Sequence, residues 1–471
     1  MTALDLIVRG GAVVTPAGVR VADVGVAGGR IAAVEDHLDA GATEEVDARG
    51  LHVLPGGLDP HVHFNEPGRA HWEGLCTGSR ALAAGGVTAF FDMPLNSTPP
   101  TTDARGFDLK LVAARAASLV DFGLWGGLVP GNLDRLEELA DRGVVAVKAF
   151  MADSGIEDFP AVDDLTLYEG MARCAQLGLM VAVHAESDRI TAGLAARAAA
   201  EGRTGARDFM ASRPVVAELE AIGRAIVLAE ETGCALHVVH VSSGRGVALV
   251  AEARRRGVDV SCETCPHYLV LGEEDVEALG AVAKCAPPVR GGAERERLWE
   301  QLRGGALPMV TSDHSPSAPE LKDTGDFLSA WGGIAGCQTT LPVMFTEGHH
   351  ERAVALETLA RVLSTAAAQR FAVPGKGRLE RGADADLALI DLAADHVLRA
   401  DDLHYRHRRS AWVGRRLRAR VVRTVLRGET VFADGRIVGP PRGRLLTPRR
   451  DAPAGRATTS AVPTTTQESV T

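Results

Sequence analysis

An α/β fold built on a (β/α)8 barrel, with a small β-sandwich domain assembled from both terminal regions, is what this sequence predicts. Three observations predict it. Between about residues 56 and 370, short apolar runs alternate with longer Ala- and Leu-rich runs dotted with charge. The short runs are almost continuously apolar, as parallel strands covered on both faces must be. Val- and Ile-rich segments cut by Gly and Pro stand at both ends of the chain, and termini tend to lie close together, so these segments can pair.

In chain order, residues 1–55 read as strands with tight turns: "LDLIVRGGAVVTP", "VRVADVGVAGGRIAAV" and "GLHVLPG". The barrel strands follow as "GLDPHVHF", "VTAFFDMP", "VDFGLWGGLV", "VVAVKAFM", "LMVAVHAE", "ALHVVHVSS", "VDVSCETCPHY" and "LPMVTSDHS". Helical patterns lie between several of them, among them "TGSRALAAGG", "LDRLEELADRG", "LYEGMARCAQLG", "VAELEAIGRAIVLAEETG" and "GRGVALVAEARRRG". Residues 371–440 return to strands, "GADADLALIDL" and "ARVVRTVLRGETVFADGRIVG", the latter holding a hairpin with Gly at its turn. The tail 441–471 is rich in Thr, Pro, Ala and Arg and is expected to be disordered, because it has too little apolar surface to offset its ordering entropy.

The composition is that of a soluble globular protein, 46% hydrophobic and 24% charged, in 471 residues. A net charge of −10 argues against a nucleic-acid partner. The cluster Arg406, Arg408, Arg409, Arg415 and Arg416 is the exception, and it reads as a solvated or interface surface. Seven scattered cysteines suit a reducing, cytoplasmic setting. Cys262 and Cys265 form one CxxC without a second pair, so they read as buried thiols. The N-terminus lacks a signal-peptide pattern, and no run is long and apolar enough to span a membrane.

Barrel enzymes place their chemistry at the C-terminal ends of the strands. Here those ends carry His61 and His63, then Lys148, His184, His240 and Asp313. A lone histidine at a strand end is ordinarily a core or surface residue. Four of them at one end of one barrel, with a lysine and an aspartate, point to a metal centre. Residues i and i+2 of a strand face the same way, so His61 and His63 can share one cation. His184 and His240, from neighbouring strands, can share a second. Imidazole suits zinc and also iron, cobalt, nickel or manganese, and Asp313 adds a hard oxygen. Lys148 is the oddity. A buried ammonium beside cations is driven towards the neutral amine. That amine can take up carbon dioxide, and the resulting carbamate can bridge two metals.

The stretches "DPHVHFNEPGR", "VKAFM", "VHAE", "HVSS" and "SDHSP", in this order, resemble the cyclic amidohydrolases of the amidohydrolase superfamily over roughly residues 5 to 440. The resemblance implies a binuclear metal centre held by His61, His63, carboxylated Lys148 (N6-carboxylysine), His184, His240 and Asp313. It also implies a homo-oligomer, a tetramer or dimer. Within the family, "EPGRAHWEG", "DMPLN", "ETCPHYLVL", "AKCAPPVR", "SDHSPSAPE" and "AWGGIAG" are most similar to the allantoinase branch. Dihydroorotases normally carry an Arg where this chain has Asn65. An Asn cannot replace that charge, so the site suits a neutral ring. Dihydroorotase and hydantoinase (dihydropyrimidinase) activity are the alternatives.

The expected reaction opens the hydantoin ring of allantoin to give allantoate, a step of purine catabolism, with Asp313 as the catalytic acid–base group. Candidate substrate contacts are Asn65, Asn96 and Ser315, with backbone groups around Cys285 and Gly333. Arg69 is expected to hold its loop and His314 to be structural. His71 and His267 are candidate supports for the site, and Trp72 and Trp331 are candidate pocket walls.

Overall fold

The computed structural model describes residues 4–449. The amino-terminal strands are β1 (Leu4–Thr15), β2 (Gly18–Ala27), β3 (Arg30–Glu35), β4 (Ala42–Asp47) and β5 (His52–Pro55). Each of the eight expected apolar runs carries a strand of the central α/β region. They are β6 (Gly57–Val62), β7 (Val87–Asp92), β8 (Asp121–Leu124) with β9 (Gly126–Gly127), β10 (Val147–Phe150), β11 (Val181–His184), β12 (Leu236–Val238), β13 (Val260–Thr264) and β14 (Met309–Val310). The carboxy-terminal strands are β15 (Leu387–Asp391), β16 (His396–Val397), β17 (Arg416–Leu417), β18 (Arg420–Leu426), β19 (Glu429–Ala433) and β20 (Arg436–Ile437).

Both ends of the chain meet in one nine-stranded sheet, ordered β20-β19-β18-β15-β5-β1-β2-β3, with β4 also on β1. The join between the two ends is the antiparallel β5–β15 pair, with Val53 opposite Leu389. Turn chemistry sets the hairpins. Gly28-Gly29, Arg427-Gly428 and Asp434-Gly435 all have positive φ at both positions, as two-residue turns that match the strand twist require. This sheet encloses its own apolar core of Leu6, Val8, Val24, Val26, Val53, Leu387 and Val425, among others.

The central strands are all parallel. One sheet runs β6-β7-β8 and the other β9 to β14 in chain order. Only Trp125 separates β8 from β9. At the other side, a parallel bridge joins Val62 to His314, beyond β14, and the His63 amide donates to the His314 carbonyl at 2.8 Å. Helices cover the outer faces. Two of them, Ala104–Ala117 and Asp164–Leu177, are capped by Asp103 and Asp163, which accept from the amides of Gly106 and Thr166.

Side-chain alternation sorts the strands into two layers. Phe90, Val147, Val181, Val183, Val238 and Cys262 pack outward under the helices. Leu58, Ala89, Phe91, Ala146, Ala182 and Met309 point inward and form a second core. The inward positions nearer the strand ends are polar, and they build the site.

One expectation needs revision. Residues 441–449 are not a loose tail: Leu445 bridges to Phe122, the Phe122 amide donates to Arg444, and the Leu446 amide donates to Phe122. The backbone there finds partners at the start of β8, which composition alone could not reveal. The disorder expected for 450–471 lies outside the described residues. The basic cluster is largely neutralised by ion pairs: Arg408 with Asp401, Arg409 with Asp323, Arg415 with Asp275 and Arg416 with Asp395.

Candidate metal centre

His61 and His63 alternate with the outward-packed Val62 and Phe64, so both face inward from the end of β6. Lys148 sits between outward Val147 and Ala149 on β10. His184 ends β11 on the same face as inward Ala182. His240 and Asp313 follow β12 and β14, and both hold left-handed backbone, φ 39° and 42°. A non-glycine residue pays of order 1–3 kcal/mol for such a conformation, a cost that concentrates at functional sites.

The six side chains line one cavity of about 380 Å³. Asp313 Oδ1 lies 3.2 Å from His61 Nε2 and 3.6 Å from His63 Nε2. His184 Nδ1 lies 3.1 Å from His240 Nε2. The His61 and His240 rings, one from each pair, have centroids 5.4 Å apart. Lys148 is 1% exposed, and its Nζ stands 4.6 Å from the Phe150 ring centroid. Among the described residues its Nζ makes no hydrogen bond or ion pair.

The hydrogen bonds around the histidines fix which ring nitrogens carry protons. An ionised carboxylate only accepts. Glu263 on β13 therefore accepts from His61 Nδ1 and, at 3.1 Å, from His237 Nε2. His237 in turn accepts from the Ser261 hydroxyl at Nδ1, 2.7 Å away. Glu186 accepts from His184 Nε2 at 3.0 Å and from Arg213. His61 Nε2 and His184 Nδ1 are left as bare lone pairs aimed into the cavity. The first faces a carboxylate oxygen and the second another imidazole nitrogen. His61 Nε2 and Asp313 Oδ1, two acceptors opposed at 3.2 Å with no proton between them, fit a cation, and the nitrogen and oxygen donors suit a divalent transition metal. His240 Nδ1 is buried without a partner among the described residues.

The electrostatics agree. Burial lowers the pKa of His63, His184 and His240, keeping them in the neutral, ligating form, and the neighbouring Lys148 and imidazoles push His240 further. Burial also brings the Lys148 ammonium down to about 7. Burial opposes ionisation of Asp313 and Glu186, yet His61 and His63 hold Asp313 at about 2, and Arg213 and His184 hold Glu186 at about 2. Glu263 is likewise held below the ordinary carboxylate range by its two imidazoles, against the cost of burial.

Of the candidate substrate contacts, Asn96, Cys285, Ser315 and Gly333 line the cavity. Asn96 Nδ2 is 3.4 Å from His63 Nδ1. Burial pushes the Cys285 thiol up to about 12, so at neutral pH it is no nucleophile. Asn65 does not line the cavity. Its left-handed backbone, φ 64°, turns the side chain away, and Nδ2 donates to the Pro316 carbonyl at 3.3 Å. Arg69 holds its loop, donating to the Asn96 carbonyl and stacking over Trp72. His314 is buried and accepts from the Gly336 amide. His71 is exposed; its carbonyl accepts from His407 and its ring stands edge-on to Trp72, centroids 6.3 Å apart. His267 is buried, with a ring nitrogen within 4.8 Å of Asp313. Trp331 lines the cavity and Trp72 packs behind it, ring centroids 5.1 Å apart. Cys262 and Cys265 are unpaired, buried thiols.

Sequence reasoning passed over Glu263, Glu186, Arg213 and Lys284. A signal existed for two of them. Glu186 stands two residues after His184, and Glu263 is a charge inside the apolar run "VSCET". Arg213 and Lys284 reach the cavity from helix ends and loops, where no periodicity marks them.

Comparison with known proteins completes the description. The model of the amidohydrolase family matches residues 52–431. An allantoinase of Rubrobacter xylanophilus is 61% identical over 451 residues, covering 96% of this chain and 99% of that protein. An allantoinase of Deinococcus radiodurans is 52% identical over 446 residues, covering 95% and 99%. Among solved structures, an L-hydantoinase (dihydropyrimidinase) from Arthrobacter aurescens superposes with a TM-score of 0.92 at 37% identity, covering 94% of this chain and 100% of that one.

Proposed function

This chain belongs to the amidohydrolase family, and from that premise we propose that it is an allantoinase, hydrolysing the cyclic amide of allantoin to allantoate in purine catabolism. The observation that carries the chemistry is the convergence of six donor side chains on one cavity, with the bare His61 Nε2 lone pair opposed to the Asp313 carboxylate. The near-complete match to allantoinases at 61% and 52% identity supports the substrate. Asn65, turned to Pro316 where dihydroorotases carry Arg, leaves the anion-binding alternative without its cation. The hydantoinase alternative rests on the structural likeness, at lower identity.

The parallel strands support closure into a (β/α)8 barrel, with β8 running into β9 and the Val62–His314 bridge returning to β6. The terminal sheet, with its separate core, is read as the small sandwich: residues 1–55 and 371–440 around a barrel of 56–370.

Two divalent cations, zinc in the first instance, would be held by His61 and His63 and by His184 and His240, with Asp313 and a carboxylated Lys148 completing the set. When bound, they would lower the pKa of water so that hydroxide is available at neutral pH, and polarise a ring carbonyl. Lys148 supports carboxylation because its amine is buried, unpartnered and close to half neutral at pH 7. Asp313 accepts the proton of the attacking water and passes it to the departing ring nitrogen, since its carboxylate is ionised and borders the cavity. Asn96 and Ser315, with backbone at Cys285 and Gly333, orient the ring. Seven free thiols favour the cytoplasm as the working compartment. Assembly as a dimer or tetramer rests on the family resemblance.

The test is to offer allantoin, hydantoin, dihydrouracil and dihydroorotate to one metal-loaded preparation. Allantoin is expected to be turned over with the highest kcat/KM. A preference for dihydroorotate or for simple hydantoins would replace this reading.

A further inference from the structure

Glu263 lies outside the six donors, on the inner face of β13 between outward Cys262 and the strand end. It is 0% exposed. Its two oxygens divide between two imidazoles: Oε1 takes the Nδ1 proton of His61, and Oε2 takes the Nε2 proton of His237. No Lys or Arg pairs with it among the described residues. Glu186, the carboxylate behind His184, differs in this respect, because Arg213 shares its charge. His237 is itself locked from behind by Ser261. A buried, undivided negative charge thus stands directly behind one ring at the mouth-facing end of β6, held in place by its own histidine and serine.

We infer that Glu263 is a positioning residue: through the His61 Nδ1 proton it fixes that ring's tautomer and orientation and makes Nε2 a stronger donor to the cation shared with His63. A carboxylate behind a ligating imidazole acts in this way because its negative charge stabilises the partial positive charge the ring gains on ligation. His237 and Ser261 set the carboxylate plane, so Ser261, His237, Glu263 and His61 form one chain of four side chains leading from the centre of the fold to the cavity. The inference rests on the cation-binding reading of the site and not on which ring is hydrolysed.

The test is Glu263→Gln in the full-length protein, measured by metal content after equilibration against graded chelator and by the visible spectrum of the cobalt-loaded form. The amide keeps the shape of the side chain and removes its charge. Affinity for one cation per chain is expected to fall about 10- to 100-fold while the second is held as in the wild type. The melting temperature of the metal-free protein reports any merely structural effect. A fall of less than threefold overturns the inference, and so does an equal loss of both cations, since His61 is the one member of the six donors that Glu263 bonds. Should Glu263→Gln fail to fold, His237→Gln keeps the charge and loosens its hold. A smaller loss at the same site is then expected, and an unchanged affinity overturns the inference. If allantoin proves not to be the substrate, these metal readouts still stand.

Discussion

His184 Nδ1 and His240 Nε2 face each other across 3.1 Å at the ends of adjacent strands. Glu186 holds the His184 proton on the far nitrogen, so the near one can only accept. His240→Ala removes one half of this pair. The protein is expected to keep its fold but to retain about one cation per chain instead of two, and to lose at least about 100-fold in kcat, because Lewis-acid polarisation contributes several kcal/mol. Metal analysis beside circular dichroism checks this; full occupancy in the variant would remove His240 from the donor set.

Lys148→Ala is expected to lose both metal and activity, with partial return of activity on adding a small carboxylic acid that fills the place of the carbamate. The pH dependence has a fixed sign. The Lys148 ammonium gives up its proton near pH 7, and only the neutral amine attacks carbon dioxide. One pH unit below that value about a tenth of the amine is neutral, and one unit above about nine tenths. Reactivation of metal-free protein by metal at a fixed concentration of dissolved carbon dioxide should therefore speed up as pH rises from 6 to 8. A rate that is flat or falls over that range would contradict carboxylation at this residue.

Asp313→Asn removes the proposed proton carrier while keeping shape. Turnover is expected to fall by about 10²–10⁴, the usual contribution of a positioned acid–base group. Near-normal kcat in a folded, metal-loaded variant would pass the role to another group.

Asn65→Ala separates loop from pocket. The side chain bonds to Pro316 and does not border the cavity, and its backbone is left-handed. Stability should drop by about 1–2 kcal/mol, since alanine tolerates this conformation less well than asparagine. The KM for allantoin should stay within about twofold. A large rise in KM with unchanged melting temperature would instead make Asn65 a substrate contact.

The six donors were legible because each is an ionisable residue at the end of an apolar run or, for Lys148, inside one, where strand periodicity bears on the direction of the side chain. His61, His63, Lys148 and His184 reach one cavity for that reason, and His240 and Asp313 reach it from left-handed backbone just past their strands. The same rule misplaced Asn65, because its positive φ breaks the alternation just past the strand end. It also passed over Arg213 and Lys284, whose positions depend on how helices and loops fold back over the strand ends. The short segment 441–449 was read from composition alone, yet its backbone pairs with Phe122, a contact made more than three hundred residues away in the chain.

The proposed activity is allantoin hydrolysis that depends on two cations held by these side chains, and the most direct measurement is allantoin hydrolysis as a function of metal bound per chain. Activity should rise with loading, reach its maximum at two cations per chain, and vanish on their removal. Full allantoin turnover by metal-free protein, or saturation at a single cation, would contradict it.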